Sequence, residues 1–212
     1  MASYLGKRLS VKGDLCTVRY IGKVESKSDD FLGVEWDDPT RGKHDGSFGG
    51  RRYFHCRNTS SACASFIKAS SRGDITRSVH EAVRLKYVSG ETLFADVRFS
   101  NKVVDETGYE KIAVRQSQLD DLKVVILDHQ RISATENPAD SSLSTLTPNI
   151  QQLDLSHNLL EDASDVARIA DGCRHLNTLS LAGNRFRGCE SACTMATVTT
   201  LSLQDMLLLP EE

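Results

Sequence analysis

The sequence predicts a multidomain protein: a small all-β domain over residues 6–72, a structured connector over 73–121, and an α/β solenoid over 122–209. Three observations carry this expectation. Short β-like runs separated by turn residues fill the first third. A Leu-x-x-Leu-x-Leu pattern recurs through the last third. A chain of 212 residues, 39% hydrophobic and 26% charged, has enough apolar material for two compact cores and the composition of an ordinary soluble protein.

The β-like runs cover residues 8–11, 15–21, 31–36, 51–56 and 65–68, with Gly, Asp, Pro and Ser clusters between them, as expected of a compact barrel or sandwich. Lys12-Gly13-Asp14 suits a tight hairpin, and Pro39 within Asp37-Asp38-Pro39-Thr40 ends strand 31–36. Gly42, Gly46, Gly49 and Gly50 then crowd one connection, which either only turns corners or lets something approach the backbone. The chemistry favours the second alternative. Gly42-Lys43-His44-Asp45-Gly46 places a cation and two hydrogen-bonding side chains beside accessible backbone N–H groups, a good setting for a carboxylate. The aromatics Phe31, Trp36, Phe48, Tyr53, Phe54 and Phe66 exceed what so small a core needs, so some line a groove. Alternate strand positions must face inward, and Trp36 and Tyr53 suit the core as well as the groove.

Charge divides in the same place. Residues 1–72 carry 13 Lys+Arg against 8 Asp+Glu, and residues 73–212 carry 13 against 21. A basic domain on an acidic body points to an anionic partner, although charge alone fits nucleic acid or an anionic membrane equally well. Nucleic acid is disfavoured because the basic residues are interleaved with acids and the second part is acidic. The longest apolar runs are four residues, such as 124–127, and the N-terminus lacks a signal-peptide hydrophobic region, so no membrane association and a cytoplasmic location are expected. Six cysteines at 16, 56, 63, 173, 189 and 193 form no Cys-x-x-Cys pair. They read as buried or incidental thiols, with no metal and no cofactor expected. Catalysis, for instance a cysteine hydrolase using His55 or His175, lacks any nucleophile motif or phosphate loop, and the chain is expected not to be an enzyme.

In the connector, Ile75, Val79, Ala82 and Val83 follow helical spacing with Asp74 in a capping position, and Leu93, Ala95, Val97 and Phe99 alternate as a strand does. From Leu122 the repeat begins: Leu122-x-x-Val125-x-Leu127, Ile150-x-x-Leu153-x-Leu155-x-x-Asn158, Leu176-x-x-Leu179-x-Leu181-x-x-Asn184 and Val198-x-x-Leu201-x-Leu203. The starts lie 28, 26 and 22 residues apart, within or close to the range of leucine-rich repeats. Each unit is expected to be a short strand facing the core. Asn158 and Asn184 should bond backbone groups in the turns, and Val166, Ile169, Ala170 and Cys173 should form the buried face of a helix on the convex side. Gln130 and Met206 replace the asparagine in the outer units. The apolar stretch 206–209 without a polar cap reads as a shortened form or a fragment.

The first domain closely resembles the CAP-Gly family of microtubule-associated proteins. The match runs through Phe31-Leu-Gly-Val-Glu-Trp-Asp-Asp-Pro, Gly42-Lys-His-Asp-Gly-Ser, Gly50-Arg-Arg-Tyr-Phe-His-Cys and Ser65-Phe-Ile-Lys, in family order and spacing. The resemblance implies an SH3-like barrel whose groove takes an acidic chain end of the form Glu-Glu-Tyr or Glu-Glu-Phe, as on α-tubulin. It implies that Lys43 attracts the tail carboxylates, His44 hydrogen-bonds the tail, Phe31 and Phe66 enclose the terminal ring, and Lys68 sits at the groove edge. Trp36, Gly42, Asp45 and Gly46 complete the implied tail-binding set. His44 stands where the family motif has Asn; it can still donate a hydrogen bond, but it is bulkier and titrates near neutrality.

A CAP-Gly domain followed by leucine-rich repeats, with Val83-Arg-Leu-Lys-Tyr-Val and Gln116-Ser-Gln-Leu between them, is similar to the tubulin-folding cofactor E family. That resemblance implies a non-enzymatic chaperone, cytoplasmic and cytoskeleton-associated. It would bind α-tubulin and act with other tubulin-folding cofactors in assembling or dissociating the α/β-tubulin heterodimer. Nothing here corresponds to the ubiquitin-like domain that family members usually carry. A CAP-Gly adaptor on assembled microtubules is the alternative, and the long coiled coil or basic serine-rich flank expected of one is missing.

Overall fold

The structure, a computed structural model, describes residues 4–25, 27–71, 73–88, 119–133, 143–187 and 194–207. Strands β1 (Arg8–Val11), β2 (Asp14–Lys23), β3 (Asp30–Trp36) and β6 (Ala64–Lys68) form one antiparallel sheet in the order β1-β2-β3-β6. Val11 pairs with Asp14, so Lys12 and Gly13 alone make the turn. Both have positive φ, 57° and 89°, which is the type I′ geometry that matches strand twist. A register shift between Val18 and Tyr20 bends β2 around Arg19, whose Nε donates to Glu35 at 2.7 Å.

The sequence-expected strand 51–56 is much shorter in the structure. β4 (Ser47–Phe48) and β5 (Arg51–Arg52) form a separate hairpin closed by Gly49 and Gly50, with φ of 59° and 80°. The Gly-Gly turn was the missed signal. Beyond Arg52 the chain leaves the ladder and buries Phe54 against Gly33, where a Cβ would strike the ring.

The apolar core of this domain joins Cys16, Val18, Leu32, Val34 and Trp36 on one face. A second cluster gathers Phe54, Cys63 and Ala64, with Tyr20, Tyr53 and Phe66 partly buried against it.

In the connector, α1 (Val79–Val83) starts later than expected, after Ser78 rather than after Asp74. Its N-cap is Ser78, whose side chain accepts from Glu81 N–H, and Ile75 is exposed. Asp74 does not cap the helix; it accepts from Ser10 Oγ at 2.6 Å and Gly13 N–H at 2.8 Å and so secures the β1–β2 turn. The strand expected at 93–99 lies outside the described residues.

The described residues between 119 and 207 form an α/β region. β7 (Val124–Ile126), β8 (Gln152–Asp154), β9 (Thr178–Ser180) and β10 (Thr200–Ser202) pair in parallel in chain order, with Val125, Leu153, Leu179 and Leu201 in one register row. Helix α2 (Leu143–Leu146) and helix α3 (Ala163–Asp171) cover the core, α3 through Val166, Ile169 and Ala170 and with Asp162 as N-cap. Asn158 is fully buried. Its Nδ2 donates to the carbonyls of Leu127, Leu155 and Ser156 at 2.8, 2.9 and 3.0 Å, and its Oδ1 accepts from Ile132 N–H at 2.9 Å. Asn184 repeats the arrangement one unit on, donating to Leu155 and Leu181 and accepting from Asn158 N–H.

The two regions are packed together through Arg8. Its side chain is wholly buried and donates to both oxygens of Asp37 at 2.5 and 2.6 Å and to Asn158 O at 3.1 Å. Glu161 accepts from Arg8 N–H at 2.6 Å and pairs with Lys7 and Arg187.

Candidate functional site

The loop between β3 and β4 is held against the start of β6. Ala64 O accepts from Lys43 N–H and His44 N–H, and Ala64 N–H donates to His44 O at 2.8 Å. Gly42 makes this possible, because a Cβ there would overlap Ala62 O and Ala64 N. Gly46 serves the other side, with φ of 96° and Phe54 O where its Cβ would be. Both glycines therefore act by allowing close backbone approach, Gly42 to the start of β6 and Gly46 to the segment that follows β5.

This placement carries His44 onto the aromatic cluster. Phe66 is its centre: the His44 ring lies 4.7 Å from it, Tyr53 5.3 Å, Phe54 5.8 Å, Tyr20 6.1 Å and Phe48 6.3 Å, centroid to centroid. Except for His44, these contacts are edge-to-face, the arrangement that ring quadrupoles favour. Cations border the cluster. Lys27 Nζ sits 4.7 Å over Phe31 and 5.1 Å over Phe48, and Arg51 lies 5.3 Å over Tyr53. Lys43 is exposed on the same loop.

His44 Nδ1 accepts from Gly46 N–H at 3.0 Å, which assigns the proton of the neutral ring to Nε2. Nε2 is buried and has no hydrogen-bond partner among the described residues. Burial pushes the His44 pKa down, opposed by Asp45 and assisted by Lys27. The neutral ring thus holds one unused donor beside the Phe66 ring, where an incoming acceptor would relieve its cost.

The structure separates the expected site residues into different jobs. His44 and Phe66 are together, with Lys43 beside them. Phe31 is 6% exposed and covered by Lys27. Trp36 is not a groove residue: it is 3% exposed, its Nε1 donates to Ser65 Oγ at 3.0 Å, and Arg41 covers its ring. Alternation along β3 sends it inward with Val34 and Leu32. Asp45 is committed to the loop itself, pairing with Arg52 at 2.6 Å and accepting from Ser47 N–H. Lys68 faces Phe31 across β3 and β6 but pairs with Asp29 at 2.7 Å. Sequence reasoning passed over Lys27 and Arg51; only the basic excess of this part of the chain hinted at them.

The family model for the CAP-Gly domain matches residues 5–71. This part of the chain is a CAP-Gly domain. Similarity extends well past it: human tubulin-specific chaperone E is 34% identical over 207 residues, covering 95% of this chain and 38% of that protein. The Danio rerio protein of the same name is 36% identical over 186 residues, covering 85% of this chain and 34% of its own length. The chain thus spans a little over a third of the relatives it matches. A solved structure, the Bik1 CAP-Gly domain with ETF peptide from Bim1, is 28% identical and covers 32% of this chain and 78% of that one, with a TM-score of 0.29. Among the described residues, no helix is long and apolar enough to cross a membrane.

Proposed function

We propose that this chain is a tubulin-folding cofactor whose CAP-Gly groove captures the acidic C-terminal tail of α-tubulin, an end of the form Glu-Glu-Tyr or Glu-Glu-Phe. The observation that carries this reading is the ring cluster around Phe66, with the His44 donor inside it and Lys27, Lys43 and Arg51 at its edge. An aromatic chain end with carboxylates beside it meets both halves of that site. Lys27 covers Phe31 and Phe48, so the tail would displace it, trading a cation–π contact for a charge pair with a tail carboxylate. Exposed pairs contribute only about 0–1 kcal/mol each, so ring burial and the His44 hydrogen bond would carry most of the affinity. Charge would mainly speed encounter.

In this reading residues 122–209 are a leucine-rich-repeat solenoid, supported by the in-register parallel rows and the buried asparagines, and they contact the folded body of tubulin. Two modest contacts on one partner give avidity when their separation is fixed, and Arg8 fixes it here. The role is non-enzymatic and cytoplasmic, exercised with other tubulin-folding cofactors. Burial pushes the Cys16 thiol up to about 12 and raises Cys56 as well, the opposite of an activated nucleophile.

The test is to titrate a peptide ending in Glu-Glu-Tyr, and the same peptide without its tyrosine, against this chain and Lys43→Ala. Both changes should weaken binding. Equal affinity in all combinations would refute the groove.

A further inference from the structure

We propose that Asp128, His129 and His157 form a binding site for a divalent transition-metal cation of the zinc class. His129 Nδ1 lies 2.9 Å from Asp128 Oδ2 and His157 Nδ1 lies 2.9 Å from Asp128 Oδ1, so two imidazoles converge on one carboxylate through different oxygens. The rings stack at 4.6 Å with 17° between planes. The three donor atoms lie within 4.8 Å of one another. Tetrahedral zinc with bonds of about 2.1 Å holds its ligands ~3.4 Å apart, a contraction that side-chain rotation can supply.

The backbone builds this arrangement. His129 and His157 occupy equivalent turn positions after β7 and β8, with φ of 55° and 48°. The left-handed region costs a non-glycine residue about 1–2 kcal/mol, so two histidines there are a strained choice. The next turn has Gly183 at the same position, and a Cβ on Gly183 would collide with the His157 ring. The missing side chain lets that ring lie flat beneath His129.

The open side faces a cleft of roughly 370 Å³ shared with Asp37, Asp38, Arg41 and Asp205. Two imidazole nitrogens and one carboxylate oxygen with an accessible fourth position are a borderline donor set that suits zinc better than calcium or magnesium. On binding, each neutral imidazole presents its Nδ1 lone pair to the cation and carries its proton on Nε2. Asp128 exchanges two hydrogen bonds for one metal bond, and nothing is oxidised or reduced.

Co²⁺ is the probe, because its visible d–d bands report tetrahedral ligation. Titration of the reduced full chain should give one Co²⁺ per chain, displaced by Zn²⁺. His129→Asn/His157→Asn keeps residues that tolerate the left-handed conformation. It should weaken binding at least ~100-fold, the upper end of what losing even an outer-shell partner costs. Should the paired variant fail to fold, imidazole ¹⁵N spectra of the unaltered chain decide: Zn²⁺ should shift the Nδ1 resonances of His129 and His157 and leave His44 unmoved. Absence of bound Co²⁺, sulfur-to-cobalt charge transfer from thiolate ligands, equal affinity in the variant, or unshifted His129 and His157 resonances would each overturn the site.

Discussion

Arg8→Met removes the cation that joins the two regions while keeping most of the buried stem. It strands the Asp37 carboxylate, whose side chain is 18% exposed, and takes a donor from Thr17 Oγ1 and from Asn158 O. Breaking a fully buried ion pair costs about 3–5 kcal/mol; the residual access of Asp37 to water lowers the expected cost to ~2–4 kcal/mol. Asp37→Leu alone should cost a similar amount by leaving the guanidinium uncompensated. The double variant buries neither charge, so it should be more stable than the sum of the singles implies by about 2 kcal/mol or more. Urea unfolding followed by tryptophan fluorescence measures this cleanly, because Trp36 is the one tryptophan and sits in the core of the CAP-Gly domain. Far-UV circular dichroism adds the helices of the α/β region. In the unaltered chain the two midpoints should coincide, and in Arg8→Met the Trp36 midpoint should fall away from the other. Single variants within about 0.5 kcal/mol of the parent, or a cycle additive to that level, would refute the coupling.

Gly42→Ala should destabilise the loop by roughly 1–3 kcal/mol and weaken tail-peptide binding, since its Cβ meets backbone at Ala62 and Ala64; a peptide titration showing parental affinity would count against that geometry. Asp45 is held down to about 2 by the Arg52 hydrogen bond first and Ser47 next. A carboxyl depressed in the fold contributes stability that is complete above its unfolded pKa and lost as pH falls through the folded one. The Ser47 amide resonance should therefore stay constant to about pH 4 and move only toward pH 2, and a midpoint near 4 would contradict the pairing. His44, depressed by burial, should stay neutral at pH 7 and titrate below the ordinary 6.5 in an NMR experiment, with loop stability complete above 6.5 and lost as pH falls from there through the folded pKa. A midpoint above 6.5 would show that Asp45 outweighs burial.

What sequence could reveal followed the range of the interactions. Lys12-Gly13 was legible because a two-residue turn is a local property, and the Leu-x-x-Leu-x-Leu rows because each unit repeats the same local demand. Asp74 was misread for the complementary reason. Its helical spacing from Val79 is local, but the hydrogen bonds that claim it come from Ser10 and Gly13, far away in the chain. Trp36 belongs to the same class: a strand residue can face either side, and only the packing of Val34, Ser65 and Arg41 decides which. The division of labour within Gly42-Lys43-His44-Asp45-Gly46 was likewise hidden, because it depends on where Ala64 and Phe54 stand.

The histidine pair extends this logic. Search for metal ligands by spacing looks for residues a few positions apart, as in Cys-x-x-Cys, and finds nothing around His129 or His157. They are 28 residues apart, the same interval that separates Leu122 from Ile150. In a parallel ladder that gains one strand per repeat, residues at equivalent positions stand about 4.7–4.9 Å apart, the interstrand distance. The measured ring separation of 4.6 Å is that spacing carried outward from β7 and β8 to the turns that follow them. The ladder that places Asn184 against the Asn158 backbone therefore also places one imidazole on the other. Asp128 then needs only to precede His129 in sequence to reach both. A binding set assembled this way is invisible at short range, yet it can be read once the repeat period is known, by comparing equivalent turn positions down the ladder: His129, His157, Gly183 and Asp205.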